Sequence, residues 1–493
     1  MFLEERYDAQ IRTQREQVRR TSERRNADCS ATKRLPSEIL SLIFRQLSCT
    51  SDTRHQPRCI SVTRVCHLWR TIALNEPRLW TDLQEIRGEW LQECVKRSKA
   101  APLKIRYVAY NPRLEDGDVA ALYVGPHFAL PNSARTPFRD WTETPAKARN
   151  VLEPLFESPW KLGELHIVGC ADDLITRLAA PTPYLSALTV ARVDIPDNFL
   201  GGGAPRLQSV HLRMTRVSLG ASWLKNVQRL TLCRWQPSGD NNTRTILSAL
   251  ANLTHLEFLS MSFPETLTAS GSDSDSVTLP SLKTAQFSFS SNQLRLVGIF
   301  DYITCPIIEE LSINWPPNFG DAALAKRVGQ FFSKNSHFTP EILERNGTWS
   351  FSEMRLFGRG RDGIPKLYFR NCLPNALEDF LSQAFPGIRL RCLRIFVGGP
   401  VLKNYPIEEL FISDPSYRML LDEGPVYPSL RQITLVNIGL TPKAQTLSSL
   451  KRWLKAQKRL EKLIIMGSGA FTARNIQALE RIVGVVEVVP VSI

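Results

Sequence analysis

Apolar positions fall on different rhythms in different parts of this chain. Near the front, Leu40, Ile43, Phe44 and Leu47 recur at i, i+3, i+4, i+7 with Ile39 alongside. That spacing predicts a helix over 37–47 with a broad apolar stripe. Pro36 stands where a helix start tolerates proline. "SCTSDTRHQPR" at 48–58 is a polar loop, and beyond it Val62, Val65, Cys66, Trp69, Ile72 and Ala73 share one face of a second helix. This helix, over 60–74, stops before "NEP" at 75–77, and Leu79 and Trp80 then sit on a turn after Pro77. Residues 3–25 read as a charged, solvated helix with a thin apolar line (Leu3, Tyr7, Ile11, Val18) that Gln14 breaks; sustained heptads would be needed for a coiled coil. "WLQECVKRSKAAPLKI" at 90–105 predicts a helix with Trp90, Leu91, Cys94 and Val95 on one side. A strand alternating Leu103, Ile105 and Tyr107 follows.

From residue 160 the rhythm changes to a six-residue pattern with large apolar residues at its first, fourth and sixth places. Copies are "LGELHI" at 162, "LSALTV" at 185, "LQSVHL" at 207, "VQRLTL" at 227 and "LEFLSM" at 256, with a looser "LKTAQF" at 282. "IEELSI" at 308, "IEELFI" at 407, "LRQITL" at 430 and "LEKLII" at 460 complete the series. The early steps of 23, 22, 20, 29, 26 and 26 residues match the period of a leucine-rich repeat. One strand and its return segment cannot bury a core alone, so stacked units pair their strands into a parallel sheet. The fold class expected is therefore α/β: a small N-terminal helical module, then an irregular leucine-rich-repeat solenoid with a curved parallel sheet.

The series has faults. Its consensus places Asn or Cys three residues after the last strand apolar; Cys170 fits, while Val193, Trp235, Pro264, Pro316 and Pro415 do not. Between 314 and 363 the period is lost, and "FSEMRLFGRGRDGIPKLYF" at 351–369 predicts a hairpin around Gly358–Gly363. "LRCLRI" at 390 lies only 17 residues before 407, so one of these two copies is expected to be false. Residues 108–160, with seven prolines, read as loop or an atypical first repeat, and "TASGSDSDSVT" at 268–278 as a polar loop. The expected organisation is a charged helix at 1–30, a helical module at 31–82, a linking segment at 83–160 and the repeats at 161–493.

About 40 to 50 residues in two or three helices cannot hide this much apolar surface by themselves. Leu35-Pro36, Glu38-Ile39-Leu40, Val65-Cys66, Trp69-Arg70 and Leu79-Trp80 stand in the order and spacing of an F-box. Residues 34–80 thus resemble that family, and 90–105 look like its continuation in F-box proteins of higher fungi, of the Agaricomycete type. The resemblance implies a substrate-recognition subunit of a Skp–cullin–F-box ubiquitin ligase, without catalysis of its own. Its partners would be a Skp-type adaptor with its cullin complex and an unknown protein target. The adaptor-facing residues it implies are Leu35, Pro36, Ile39, Leu40, Ile43, Phe44, Leu47, Val65, Cys66, Trp69 and Trp80. The alternative is a leucine-rich-repeat interaction scaffold outside ubiquitin transfer, in which the front helices only cap the repeats.

Within each repeat the variable residues point away from the core. Glu164, His166, His211, Arg229, Phe258, Glu309, Glu408 and Arg431 are the expected target-binding set, with Glu257, Glu310, Glu409 and Lys462 on the same face. Their mixed charge suits a folded protein better than a nucleic-acid backbone.

Composition changes this picture little. The 62 Lys+Arg against 48 Asp+Glu give a formal +14, but the excess is diffuse and reads as a solvated surface rather than a nucleic-acid path. Residues 1–30 hold no apolar signal region, and no apolar run approaches the ~20 residues of a bilayer span. A soluble protein of cytoplasm or nucleus is expected. Ten cysteines show no C-x-x-C pair, and seven histidines show no H-x-x-x-H or HExxH spacing. "GRGRDG" at 358–363 lacks the Lys-Ser/Thr of a phosphate loop, "GGG" at 201–203 reads as a turn, and no serine sits in a G-x-S-x-G elbow. Neither metal nor cofactor is expected.

Overall fold

A computed structural model describes residues 2–29, 35–48, 58–84, 88–108, 153, 155–156, 159–169, 175–238, 243–262, 276–289, 299–319, 322–335, 342–347, 352–357, 367–372, 381, 391–395, 406–413, 426–436, 444–467 and 472–489. Cys170, almost all of 108–160, residues 268–275, the phosphate-loop candidate 358–363, Pro264 and Pro415 lie outside them. The chain forms two compact units, Met1–Cys170 and Ala171–Ile493.

The first unit begins with α1 (Phe2–Cys29), whose described side chains lie at the surface. Arg19 reaches Glu16 and Glu23, each at 2.6 Å, and Arg20 reaches Glu16 at 2.9 Å. Hydrogen bonds from Arg19 and then Arg20 hold the Glu16 carboxyl down at about 2. Tyr7, Ile11 and Val18 remain exposed, as a solvated helix requires. Then come α2 (Ser37–Ser48), α3 (Arg58–Thr63), α4 (His67–Asn75), a 3-10 turn at Pro77–Trp80, β1 (Asp82–Gln84), α5 (Gly88–Arg97), β2 (Leu103–Val108) and β3 (Leu162–Val168). The strands pair in parallel in the order β1-β2-β3. Leu83, Ile105 and Leu165 are aligned by that register into one buried row, while Lys104 and Glu164, side by side, pair at 2.5 Å. This pairing explains why the first repeat copy, at 162, belongs with the front unit and the unit boundary falls after it.

The second unit contains β4 (Ala187–Ala191), β5 (Ser209–Arg213), β6 (Arg229–Cys233), α6 (Thr243–Ala251), β7 (Phe258–Ser262), β8 (Thr284–Ser288), β9 (Glu310–Phe319) and α7 (Ala322–Asn335). After these come β10 (Ile342–Gly347), β11 (Ser352–Phe357), β12 (Leu367–Cys372), β13 (Cys392–Ile395), β14 (Glu409–Ser413), β15 (Gln432–Val436), α8 (Ala444–Ala456), β16 (Lys462–Met466), α9 (Ala473–Val483) and β17 (Val485–Val489). From β4 to β9 the strands lie in chain order and in parallel. The sheet resumes in parallel from β13 to β17.

The apolar slots fall into continuous rows. Leu188, Val210, Leu230, Leu259, Ala285 and Leu311 are cross-strand neighbours, and so are Val190, Leu212, Leu232, Met261, Phe287 and Ile313. All twelve are buried. Where the middle slot shrinks to Ala285, the last slot enlarges to Phe287, whose ring lies 5.1 Å from Phe300, itself 5.1 Å from Phe331.

The expected irregularity at 314–363 is a three-strand meander. The order runs β9-β12-β11-β10-β13, with β11 antiparallel to both its neighbours. The hairpin is real, Leu356 opposing Leu367, and the reversed β11 returns β10 and β12 to the common direction. The copies at 390 and 407 both form strands: β13 and β14 pair in parallel over four residues, so the short spacing between them does not make either one false.

The consensus faults also have a physical resolution. Two residues beyond the last strand apolar the backbone turns left-handed, at Gly169 and Gly467 but also at Arg192, Met214 and Arg234. The next position turns inward, which buries Val193, Thr215 and Trp235. The return backbones bond each other directly: Met214 N–H donates to Cys233 O at 2.9 Å, and Gln236 N–H to Thr215 O at 2.8 Å. With the backbone served this way, the slot is free to hold an apolar side chain. A non-glycine residue in the left-handed region costs roughly 1–2 kcal/mol. Arg234→Gly is therefore expected to raise stability by about 0.5–1 kcal/mol, whereas Arg229→Gly, inside β6, should lower it by a similar amount. Denaturant midpoints of the two variants would shift in opposite directions. Gly201 is another left-handed position, and there a Cβ would lie 2.8 Å from Ala179 O.

Two buried amides perform one task at two places. The Asn335 side chain accepts Cys305 N–H at 2.7 Å and donates to Phe331 O at 2.7 Å. Gln457 accepts Tyr427 N–H at 2.9 Å and donates to Trp453 O at 3.4 Å. In each case the amide ends a helix and catches the backbone three residues before the next six-residue copy. Burial drives the Cys305 thiol up to about 12 and the Tyr427 hydroxyl up as well, so both stay neutral there. Gln457→Ala strands a buried N–H and is expected to cost about 1–3 kcal/mol, read as a lower urea midpoint with unchanged slope.

Candidate adaptor-docking site

The Pro36 carbonyl opens α2 by accepting both Ile39 and Leu40 N–H at 3.1 Å. An α-helix turns about 100° per residue, so Leu40 and Phe44 lie on one side, and Ile39, Leu42 and Ile43 on another. The first side is the unit's core: Leu40 and Phe44 are buried with Ile60 and Val62 of α3 and Ala73 of α4. The Phe44 and Trp69 rings lie 5.0 Å apart at 54°.

The single helix expected over 60–74 is two, α3 and α4, and the turn between them at 64–66 is fixed by local polar bonds. Cys66 caps α4, its sulfur accepting Trp69 N–H at 3.5 Å while its carbonyl takes Arg70 N–H at 3.0 Å. Arg70 Nε reaches back to Thr63 O at 2.8 Å. Trp80 closes the unit: its indole N–H donates to Ala73 O at 2.8 Å, and the Arg97 guanidinium of α5 stacks 4.5 Å from its ring centroid. Trp80 thus ties the helices to the first strand, which begins two residues later.

These contacts divide the expected adaptor-facing residues. Leu40, Phe44 and Trp80 are enclosed by the unit itself, a correction: their side chains build the core and present nothing at the surface. Cys66 and Trp69 are half-buried. Pro36 is exposed, and Leu35, Ile39, Ile43 and Val65 are exposed by between 37% and 59%. The Leu47 side chain lies outside the described residues. Leu42, at 53%, and Leu68, at 38%, join the exposed set and were missed. For Leu42 the available signal was a second i, i+3, i+4 series (39, 42, 43) beside the stripe of Leu40 and Phe44. One face of α2 folds the unit and another leaves it oily.

Residues 32–84 match the F-box-like family model. The F-box-like domain spans α2 through β1, the segment just described, and its presence supports an F-box protein. F-box domains typically bind Skp-type adaptors. A comparison with curated proteins finds no match to this chain.

The expected target-binding residues are dispersed. Glu164 is paired with Lys104, and His166, two residues on along β3, is half-buried. His211 is half-buried on β5, where burial first and then Arg213 lower its basicity. Phe258 is buried under Arg229, whose guanidinium lies 4.5 Å from its ring, so Phe258 is a correction to the exposed set. Glu309, Glu408 and Arg431 are exposed where strands begin, along a rim in which each carbonyl takes two N–H groups of the next unit. On that rim Arg391, Glu408, Arg431 and Glu461 alternate in sign, and Glu257 and Lys283 pair at 3.3 Å. Among the described residues no cluster of His, Cys, Asp or Glu could hold a metal ion, and no helix is long and apolar enough to cross a membrane.

Proposed function

We propose that this chain is the substrate-recognition subunit of a Skp–cullin–F-box ubiquitin ligase. Its F-box-like domain seats a Skp-type adaptor, which links it to the cullin. The repeated strands behind, a leucine-rich-repeat solenoid, hold a protein target near the ubiquitin-charged enzyme. The mechanism is proximity: tethering raises the effective concentration of target lysines, and the chain makes and breaks no bond itself. It acts in the cytoplasm or nucleus, apart from membranes and without a cofactor.

The observation that carries this reading is the oily second face of α2 with Val65 and Leu68 beyond it. Burying such side chains in a partner groove supplies about 1.5–3 kcal/mol each, before ordering costs are subtracted. The test is co-expression of the full chain with a Skp-type adaptor and its cullin, followed by affinity capture and size-exclusion chromatography. A stoichiometric complex containing all three supports the ligase reading. Adaptor that elutes wholly apart from the chain refutes it and favours a scaffold in which the front helices are only a cap.

A further inference from the structure

In a sheet with one face on the core, the opposite face should be polar. The second unit obeys this rule over its first six strands and breaks it over its last ones. Between the two inward slots, Thr189, His211, Thr231, Ser260, Gln286 and Ser312 form a row of uncharged or weakly basic polar groups across β4–β9. Beyond the last slot, Ser262, Ser288 and Asn314 continue in kind on β7–β9, where β4–β6 hold Ala191, Arg213 and Cys233.

On β15–β17 the same places hold Val436, Met466 and Val489, which are direct cross-strand neighbours. Ile464 stands two residues before Met466 on the same face, and Val485 at the start of β17 is exposed. Val436, Ile464, Met466 and Val489 are each part-exposed. Among the described residues of β15–β17 the charges on this face are Lys462 and Glu487, the latter directly beside Ile464, and they pair with each other at 2.6 Å. An apolar row at the strand ends, continued by Ile464 and broken only by Thr434 and the Glu487 ion pair, resembles the apolar part of a protein–protein contact. A face whose one cation, Lys462, is already paired offers little to an anionic membrane or a phosphate, and the occupant it complements is apolar and uncharged.

We infer that the open face of β15–β17 is where the target docks, through an apolar, near-neutral peptide segment. This inference rests on the receptor reading above and moves the target site from the charged rim to the last repeats.

Short random peptides displayed on phage, selected against the full chain in its adaptor complex, test the inference. Enriched peptides should carry several large apolar residues and little net charge. Their affinity, by fluorescence polarisation, should fall about tenfold with Ile464→Lys or Met466→Lys, as expected for a charge placed at an interface centre. It should be unchanged with Thr231→Lys. Thermal melts matching the parent chain would show that these open-face changes leave the fold intact. Enriched peptides that are acidic, or that bind Ile464→Lys and Met466→Lys as tightly as the parent, would overturn the inference. So would light scattering that shows the parent self-associating and Ile464→Lys monomeric, because the patch would then belong to a second copy. Adaptor capture by the same samples reports separately on the receptor reading, so the two can fail independently.

Discussion

The double variant Ile39→Asp, Val65→Asp is expected to lose Skp-type adaptor binding by about thirtyfold or more while folding like the parent chain. The size follows from placing charge in an apolar contact centre, where the loss of even one anchor removes ~2 kcal/mol, about thirtyfold. The intact fold follows from position. Both side chains are exposed, and surface changes usually stay within about 0.5 kcal/mol. Ile39 is moreover the third residue of α2, where a carboxylate meets the positive end of the helix dipole favourably. Titration calorimetry with purified adaptor, paired with a thermal melt, reads both quantities. Tyr7→Asp on α1 is the control and should bind as the parent does, since its exposed side chain lies outside the F-box-like domain. If the double variant binds at parental strength, the outward face of α2 is not the docking surface.

The second large effect is in the core. Trp80→Ala should cost about 3–5 kcal/mol, the range for emptying a buried aromatic site. Three losses coincide there: the enclosed ring, the indole hydrogen bond to Ala73 O, and the stacking partner of Arg97. Trp80→Phe keeps much of the volume and loses the hydrogen bond, so its cost should be distinctly smaller. Hydrogen exchange of the α2–α5 amides in the full chain would report the change locally, without requiring the whole chain to unfold as one. The variant should also bind adaptor poorly, but for a reason unlike that of Ile39→Asp: α2 would no longer be held in place to present its outer face. A loss below about 1 kcal/mol would mean that Trp80 does not close the unit.

The parallel strands were legible because their signal is redundant. Ten copies of one spacing point to the same strand, and register then aligns the middle slots even where Ala285 replaces a larger residue. Residues 351–369 were readable as a hairpin for a similar reason, glycines between two apolar runs. What failed was inference about single slots. The absence of Asn or Cys at Val193 and Trp235 suggested a defect, but neighbouring backbones satisfy one another there. Glu309, Glu408 and Arg431 are exposed, on a rim that the strand starts build together.

Sequence alone marked the front helices, the short strands behind them and a surplus of apolar residues in 35–80, but it ran α3 and α4 together as one helix and carried no mark of α6–α9. Periodicity records how many side chains must leave water, since that depends on composition along one helix or strand. It does not record which of them the fold will use. Only the packing of α2 against α3 and α4 separated Leu40 and Phe44, which close the core, from Ile39, Leu42 and Ile43, which do not. Only strand register brought Val436, Met466 and Val489 together, because residues more than twenty apart become neighbours when three strands lie side by side.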